Sequence, residues 1–420
     1  MHPADMVFFW AQANPDRPAI IQPDMAVTYR DFAAAIQATS ERLEQFQLDR
    51  QEPVAVAIDH PVRQLVVCFA LLRAGIPVAL AARHSLPFLR THGVIHVISA
   101  GEANVLSGGR NITFQDSWMR REGSARSAWA PARPSLAQET PLIFLTSGTT
   151  GTPKKVVMPG AALQEWVKML MVIGNANSER TLVVPDLSST MGYNHATLLF
   201  YAGRTACFAR GPASQLALIN LFEIEEIIAS PQQVLTLVEA LEKGAPSHLE
   251  SLKNVRVGGG FLAANLVKRV RERLCRNVVT LYGATETGLI AFADYDTIAD
   301  VPSAVGFVIP GMHLEIVDED HRPVDAGVEG RVRFRSDYYT RVFAATYPDR
   351  AAEADRVWWY PGDLGRLTEN GILCIEGRAD DVINCGGAKV SGLALDEAAC
   401  RFPGVRDAGV CAVGGNSGIE

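Results

Sequence analysis

The sequence predicts an α/β protein with a smaller β subdomain behind it. Three observations carry this. Residues 5–140 alternate helical and strand-like patterns, the alternation resumes from 161 to 281, and beyond about 301 short strand runs separated by turn residues replace the helices. Strand–helix–strand alternation favours layers built on parallel strands, whereas short turn-bounded strands favour a small distorted barrel. The chain has 420 residues, 48% of them hydrophobic. That is more than one core usually holds, so two or more folding units are expected.

In chain order, residues 7–13 read as a short helix stopped by Asn14 and Pro15. Residues 19–21 and 26–28 read as strands, 29–45 as a helix and 53–58 as a strand. The most apolar stretch, 65–80, is interrupted by Arg73, Gly75 and Pro77, which suits a buried helix and a following strand better than a membrane span. Residues 101–140 are polar and pattern-poor and read as a surface connection. Then come a strand at 141–145, helices at 161–173, 197–201, 232–241 and 263–274, and strands at 181–184, 205–208, 225–228, 254–257 and 278–281. The β subdomain is read from the runs 313–317, 330–335 and 371–375.

Net charge is -7 and no basic tract stands out, which argues against nucleic acid as the main partner. The seven cysteines are scattered, odd in number and without a C-x-x-C pair, so reduced thiols are expected in place of a disulfide framework or a zinc site. No basic region followed by a long apolar one opens the chain, so no signal peptide is read. Together these point to a cytoplasmic protein.

Five stretches carry chemistry. The first follows the 141–145 strand: Thr146, Ser147, Thr149 and Thr150 supply hydroxyls, Gly148 and Gly151 let backbone N–H groups turn inward, and Lys154 ends the loop. Short donors, close backbone approach and one mobile cation are what a phosphate needs. The spacing is not that of the G-x-x-x-x-G-K-[ST] loop of nucleotide hydrolases. The second is Tyr282, Gly283, Ala284, Thr285 and Glu286, just after a strand, where α/β sheets place ligands. Tyr282 offers a flat face for a base, Thr285 a donor to phosphate and Glu286 a carboxylate for Mg²⁺; a polar turn before a helix is the plainer reading. The third is Gly258, Gly259 and Gly260 at a strand end, where a flat ligand can lie on bare backbone. The fourth is Asp363 after Pro361 and Gly362, able to accept from a vicinal diol, although Asp is also a common turn residue. The fifth runs from Glu376 to Val390 and holds Arg378, Asp380, Asp381 and Lys389.

These five, in this order and approximate spacing, resemble the adenylate-forming superfamily of acyl- and aryl-CoA synthetases, peptide-synthetase adenylation domains and luciferases. The resemblance runs from about Pro15 to the end. It implies two layered α/β subdomains (about 1–300) and a small β-barrel subdomain (about 301–376) in one large N-terminal domain, 1–376. A hinge at 377–382 and part of a C-terminal α+β lid at 383–420 would follow. It implies that Thr146 to Gly151 wrap the ATP phosphates with Lys154, and that Gly258–Gly260 and Tyr282 sandwich adenine. Thr285 would contact the α-phosphate, Glu286 would support Mg²⁺, and Asp363 would bind ribose with Arg378 nearby. Asp380 would be the hinge and Lys389 a lid position approaching the phosphates.

The implied reaction is two-step activation of a carboxylic acid by ATP, with CoA or a phosphopantetheinyl carrier protein as thiol acceptor. The acid pocket is expected among Ser188, Gly192, Tyr193, His195, Ser230, the 258–260 turn and Ala284, and to take a non-amino acid, aryl or acyl. Ser188 stands where many CoA ligases carry a His. Other departures are Lys155 for a usual Gly, Pro361 for a usual Thr or Ser, and Asn384 where many relatives have Lys. Only 40 residues follow Asp380, against a lid on the order of 100 residues, so a truncated lid is expected. A lid-deficient binding protein is the alternative of a different class. A dehydrogenase is poorly supported, because no strand-linked G-x-G-x-x-G is present.

Overall fold

The structure is a computed structural model describing residues 2–101, 109–120, 135–146, 153–172, 178–245, 248–385 and 388–400, with 402, 405, 408–410, 414–415 and 418–419. The chain divides into two compact units. One holds Met1–Ile228, Ser247–Leu252 and Arg341–Ala354; the other holds Ala229–Pro246, Lys253–Thr340 and Asp355–Glu420.

The first unit carries two α/β sheets. One orders its strands Arg110–Thr113, His96–Ser99, Val54–Ala57, Val78–Leu80, Leu142–Thr146 and Lys154–Met158. Only the last pair is antiparallel. The other runs Glu226–Ala229, Arg180–Val183, Thr205–Cys207, Pro18–Gln22 and Met25–Thr28, parallel up to the terminal hairpin. The polar 101–140 region thus contributes one edge strand, at 110–113. Helix Pro61–Ala74 opens on a proline at its first turn and stops at Gly75, and ten of its side chains are buried. Such an all-round apolar helix belongs inside a layered domain. Phe69 of this helix meets Phe32 of helix Tyr29–Leu43 and Phe200 of helix Thr190–Ala202, with ring centroids 5.8 and 6.1 Å away.

Helix Thr190–Ala202 begins seven residues before its apolar pattern does. Ser189 caps it, its Oγ accepting from the Gly192 amide at 3.1 Å. Residues 192–200 are buried on every side, so the first turns show no amphipathic period to read.

In the second unit, strands His313–Val317, Gly330–Arg335, Asp363–Leu367, Ile372–Arg378, Ala304–Val308, Gly288–Asp294 and Val278–Ala284 follow one another as antiparallel neighbours. Strand Asn254–Gly258 then pairs in parallel with Val278–Ala284. The expected barrel is not closed among the described residues. The sheet curls far enough for Ile290, Ile316, Val332, Phe334 and Leu373 to share one core. Val278–Ala284 already has a partner on each side, so that end offers no edge on which to close. Helices Pro231–Glu242 and Ala264–Arg273 belong to the same unit. Helix Asp337–Thr346 and strand Gly288–Asp294 were not legible as periodic segments.

The C-terminal part holds a hairpin, Val382–Cys385 with Ala388–Ser391, and helix Gly392–Cys400. Cys68, Cys207, Cys275 and Cys374 are buried free thiols. No helix among the described residues is long and apolar enough to cross a membrane.

Candidate active site

In the second unit, the site grows from the ends of two parallel neighbours. Gly258 stands opposite Leu281, so the glycine turn and Tyr282 leave adjacent strands at the same end. A Cβ on Gly258 would lie 2.9 Å from both the Leu281 side chain and its carbonyl oxygen. Only glycine permits this approach. Gly259 follows with φ +79°, turning the chain sharply away from the sheet.

Beyond Tyr282 the chain makes a hairpin, not the turn into a helix that was the plainer expectation. Gly283 pairs with Leu289 and Ala284 with Gly288, after an irregularity at Tyr282/Gly283 that re-aims the strand. Thr285 and Glu286 therefore sit at a half-buried hairpin tip, closed by the Thr287 amide donating to the Ala284 carbonyl at 3.3 Å.

Asp363 and Arg378 face each other directly across strands Asp363–Leu367 and Ile372–Arg378. Arg378 Nη1 donates to Asp363 Oδ1 at 3.0 Å, and Tyr282 Oη donates to Asp363 Oδ2 at 2.5 Å. Burial first, then the neighbouring carboxylate, hold the Tyr282 phenol well above its ordinary range, so it stays a donor. Asp363 is 8% exposed, and each oxygen has one donor, leaving acceptor capacity on both. Sequence reading assigned Tyr282 and Asp363 separate tasks; their bond had no sequence signal, because 81 residues separate them. Asp380 is exposed in the short turn Ala379–Asp381, and Lys389 stands opposite Asn384 in the next hairpin.

A magnesium ion needs oxygen ligands, and one carboxylate with nucleotide phosphates is a usual set. Among the described residues no group of three or more His, Cys, Asp or Glu could hold a metal unaided. Glu286, at the half-buried hairpin tip, is a carboxylate of the kind such a set uses.

In the first unit, Thr146 and Lys154 form the last rung of an antiparallel pair. Lys154 is exposed, and Thr146 Oγ1 lies 3.5 Å from the Lys154 carbonyl oxygen. Ser147, Gly148, Thr149, Thr150 and Gly151 lie outside the described residues.

The expected acid-pocket residues divide. The Ser188 amide donates to Asp186 Oδ1 at 2.7 Å, so Asp186 is engaged in its own turn. Gly192 packs against that turn so tightly that a Cβ would lie 2.3 Å from the Asp186 carbonyl oxygen. His195 Nδ1–H donates to the Met191 carbonyl at 2.8 Å, and its ring meets Trp166 edge-on at 5.7 Å. Trp166 had not been singled out from the sequence. Tyr193 is fully buried, in ring contact with Phe69 and Phe144 and bonded to Cys68, so it packs in the core. Ser230, in the second unit, caps helix Pro231–Glu242 in a reciprocal box with Gln233, which occupies its hydroxyl oxygen.

The sequence profile of the AMP-binding enzyme family matches residues 7–343. This chain belongs to the AMP-binding enzyme family. Membership in the adenylate-forming superfamily, expected from the five motifs, therefore holds. Among curated relatives, the 4-chlorobenzoate–CoA ligase of an Arthrobacter species is 25% identical over 97% of this chain and 82% of its own length. Enterobactin synthase component E of Escherichia coli (strain K12) is 24% identical over 94% and 79%. Among solved structures, o-succinylbenzoate CoA synthetase from Bacillus subtilis with its acyl-adenylate intermediate superposes with a TM-score of 0.82, at 21% identity, over 99% of this chain and 86% of that one. The amide bond synthetase McbA from Marinactinospora thermotolerans superposes equally well, at 21% identity. These two likenesses show the α/β fold.

Proposed function

We propose that this chain is an ATP-dependent acid–thiol ligase, acting on an aryl or acyl carboxylic acid and transferring it to CoA. The observation that carries this is the Tyr282–Asp363–Arg378 constellation beside the bare-backbone turn at Gly258–Gly260. One part offers a flat face and the other a buried, doubly supported carboxylate, which together suit a nucleoside.

In the first step a carboxylate oxygen attacks the α-phosphorus of ATP. A P–O bond to the leaving pyrophosphate breaks, giving the acyl-adenylate. In the second, a thiolate attacks the acyl carbonyl and expels AMP, leaving a thioester. Such chemistry needs positioning and neutralised charge more than covalent help. Lys154 and Thr285 would face phosphate oxygens, Glu286 would hold Mg²⁺, and Asp363 with Arg378 would hold the ribose. Bound Mg²⁺ would neutralise charge on the leaving pyrophosphate. Ser188, Gly192 and His195 would border the acid. Asp380 would serve as the hinge and Lys389 would approach the phosphates.

Relatives named 4-chlorobenzoate–CoA ligase and salicylyl-CoA synthase / salicylate adenylyltransferase support a substituted benzoate as the acid. Relatives named enterobactin synthase component E and pseudomonine synthase PmsE favour a second reading, in which a carrier-protein phosphopantetheine replaces CoA. The test is incubation with Mg-ATP and a pool of aryl and acyl acids, with mass spectrometry for acyl-adenylate, followed by CoA or phosphopantetheinylated carrier protein. An adenylate discharged by CoA supports the first reading, and one discharged only by carrier protein the second. No adenylate from any acid overturns both.

A further inference from the structure

We infer that His92 is a positioning residue for Lys154. The inference rests on the nucleotide-binding reading above. Pro153, the residue before Lys154, has its carbonyl oxygen 2.9 Å from His92 Nε2. A carbonyl only accepts, so Nε2 carries the hydrogen. On the other side of Lys154, Lys155 Nζ donates to the His92 carbonyl at 3.4 Å. The two contacts are reciprocal. A side chain from each segment reaches the backbone of the other, and Lys154 lies between Pro153, held through its carbonyl, and Lys155, held through its side chain.

The turn that bears His92 is itself fixed. The Val94 amide donates to the Leu89 carbonyl at 3.1 Å, and the Gly93 amide to Arg90 at 3.0 Å. Leu89 and Val94 are fully buried and share a core with Ile143 and Val157, from the two strands that flank Thr146 and Lys154. His92 therefore reaches Pro153 from a platform anchored beneath the same hairpin. An exposed lysine has many rotamers, and anchoring the residue on each side of it narrows where its ammonium can go. The consequence is selective. Lys154 meets phosphate charge, so the staple governs affinity for a polyphosphate far more than for the nucleoside.

The test is calorimetric titration of the full chain and its His92→Phe, His92→Gln and Lys155→Met variants with Mg-ATP and, separately, AMP. His92→Phe keeps a flat ring and loses the donor; His92→Gln restores an N–H at similar reach. Mg-ATP should bind His92→Phe about tenfold more weakly, with AMP changed less than about twofold. His92→Gln should recover most of the loss, and Lys155→Met should show a smaller loss of the same kind. Equal weakening of both nucleotides, no weakening, or failure of His92→Gln to recover would each overturn the inference. If the unaltered chain binds neither nucleotide, the proposed function falls first and this inference with it.

Discussion

Tyr282 and Asp363 are joined by a hydrogen bond of 2.5 Å from the phenol to one carboxylate oxygen, while Arg378 takes the other. The ring that would stack on a base is thus tied to the carboxylate that would hold a sugar. Losing one partner should disturb both. Tyr282→Phe keeps the ring and should raise the KM for ATP by about three- to tenfold in an ATP–pyrophosphate exchange assay. Asp363→Ala removes the charged acceptor and should raise it by about 100-fold. Equal, small effects would mean that the pair serves stability alone.

Gly258→Ala places a methyl 2.9 Å from Leu281 on the neighbouring strand. Because both strands lead into the site, the clash should register twice. Stability should fall by about 1–3 kcal/mol in urea unfolding, and affinity for AMP should fall with it. A variant as stable as the parent with normal AMP affinity would show that the strands separate at no cost.

Tyr193 and His195 are two residues apart on one helix and should behave differently. Tyr193→Phe loses only the contact with Cys68 in the core and should leave the KM for the acid unchanged. His195→Phe should alter that KM if the pocket lies on the Trp166 side of the helix. The reverse pattern would move the acid pocket to the Cys68 side.

Glu286→Gln should raise the magnesium concentration needed for half-maximal exchange by roughly tenfold, because Mg²⁺ relies on one or two carboxylates plus phosphates. Chelation of the ion should abolish exchange in both proteins. Unaltered magnesium dependence would remove Glu286 from the ion.

Alkaline stability should report the buried thiols. Burial pushes Cys68 and Cys207 up to about 12. In the unfolded chain a thiol ionises near 8.5. Between these limits the unfolded state holds fewer protons, so stability is intact below the unfolded value and falls as pH rises toward 12. Unfolding midpoints in urea should drop through this window, and a Cys68→Ala, Cys207→Ala variant should start lower but fall less steeply. An identical slope in the variant would rule out these thiols as its source.

The sequence by itself determined the α/β alternation, the order of the five motifs and so the family, because each rests on local composition: glycine where backbone must be bare, hydroxyls near a lysine, apolar runs of strand length. The small β region was legible as short strands, but its openness was not. Whether a curled sheet closes depends on which strands already have two partners, and Val278–Ala284 has both. The start of helix Thr190–Ala202 was hidden because its first turns are buried all round. Tertiary structure alone placed Tyr193 in the core, tied Tyr282 to Asp363 and set His92 against Pro153. Each is a contact between segments distant in the chain, and a sequence pattern records which face a residue presents, not what another segment brings to meet it.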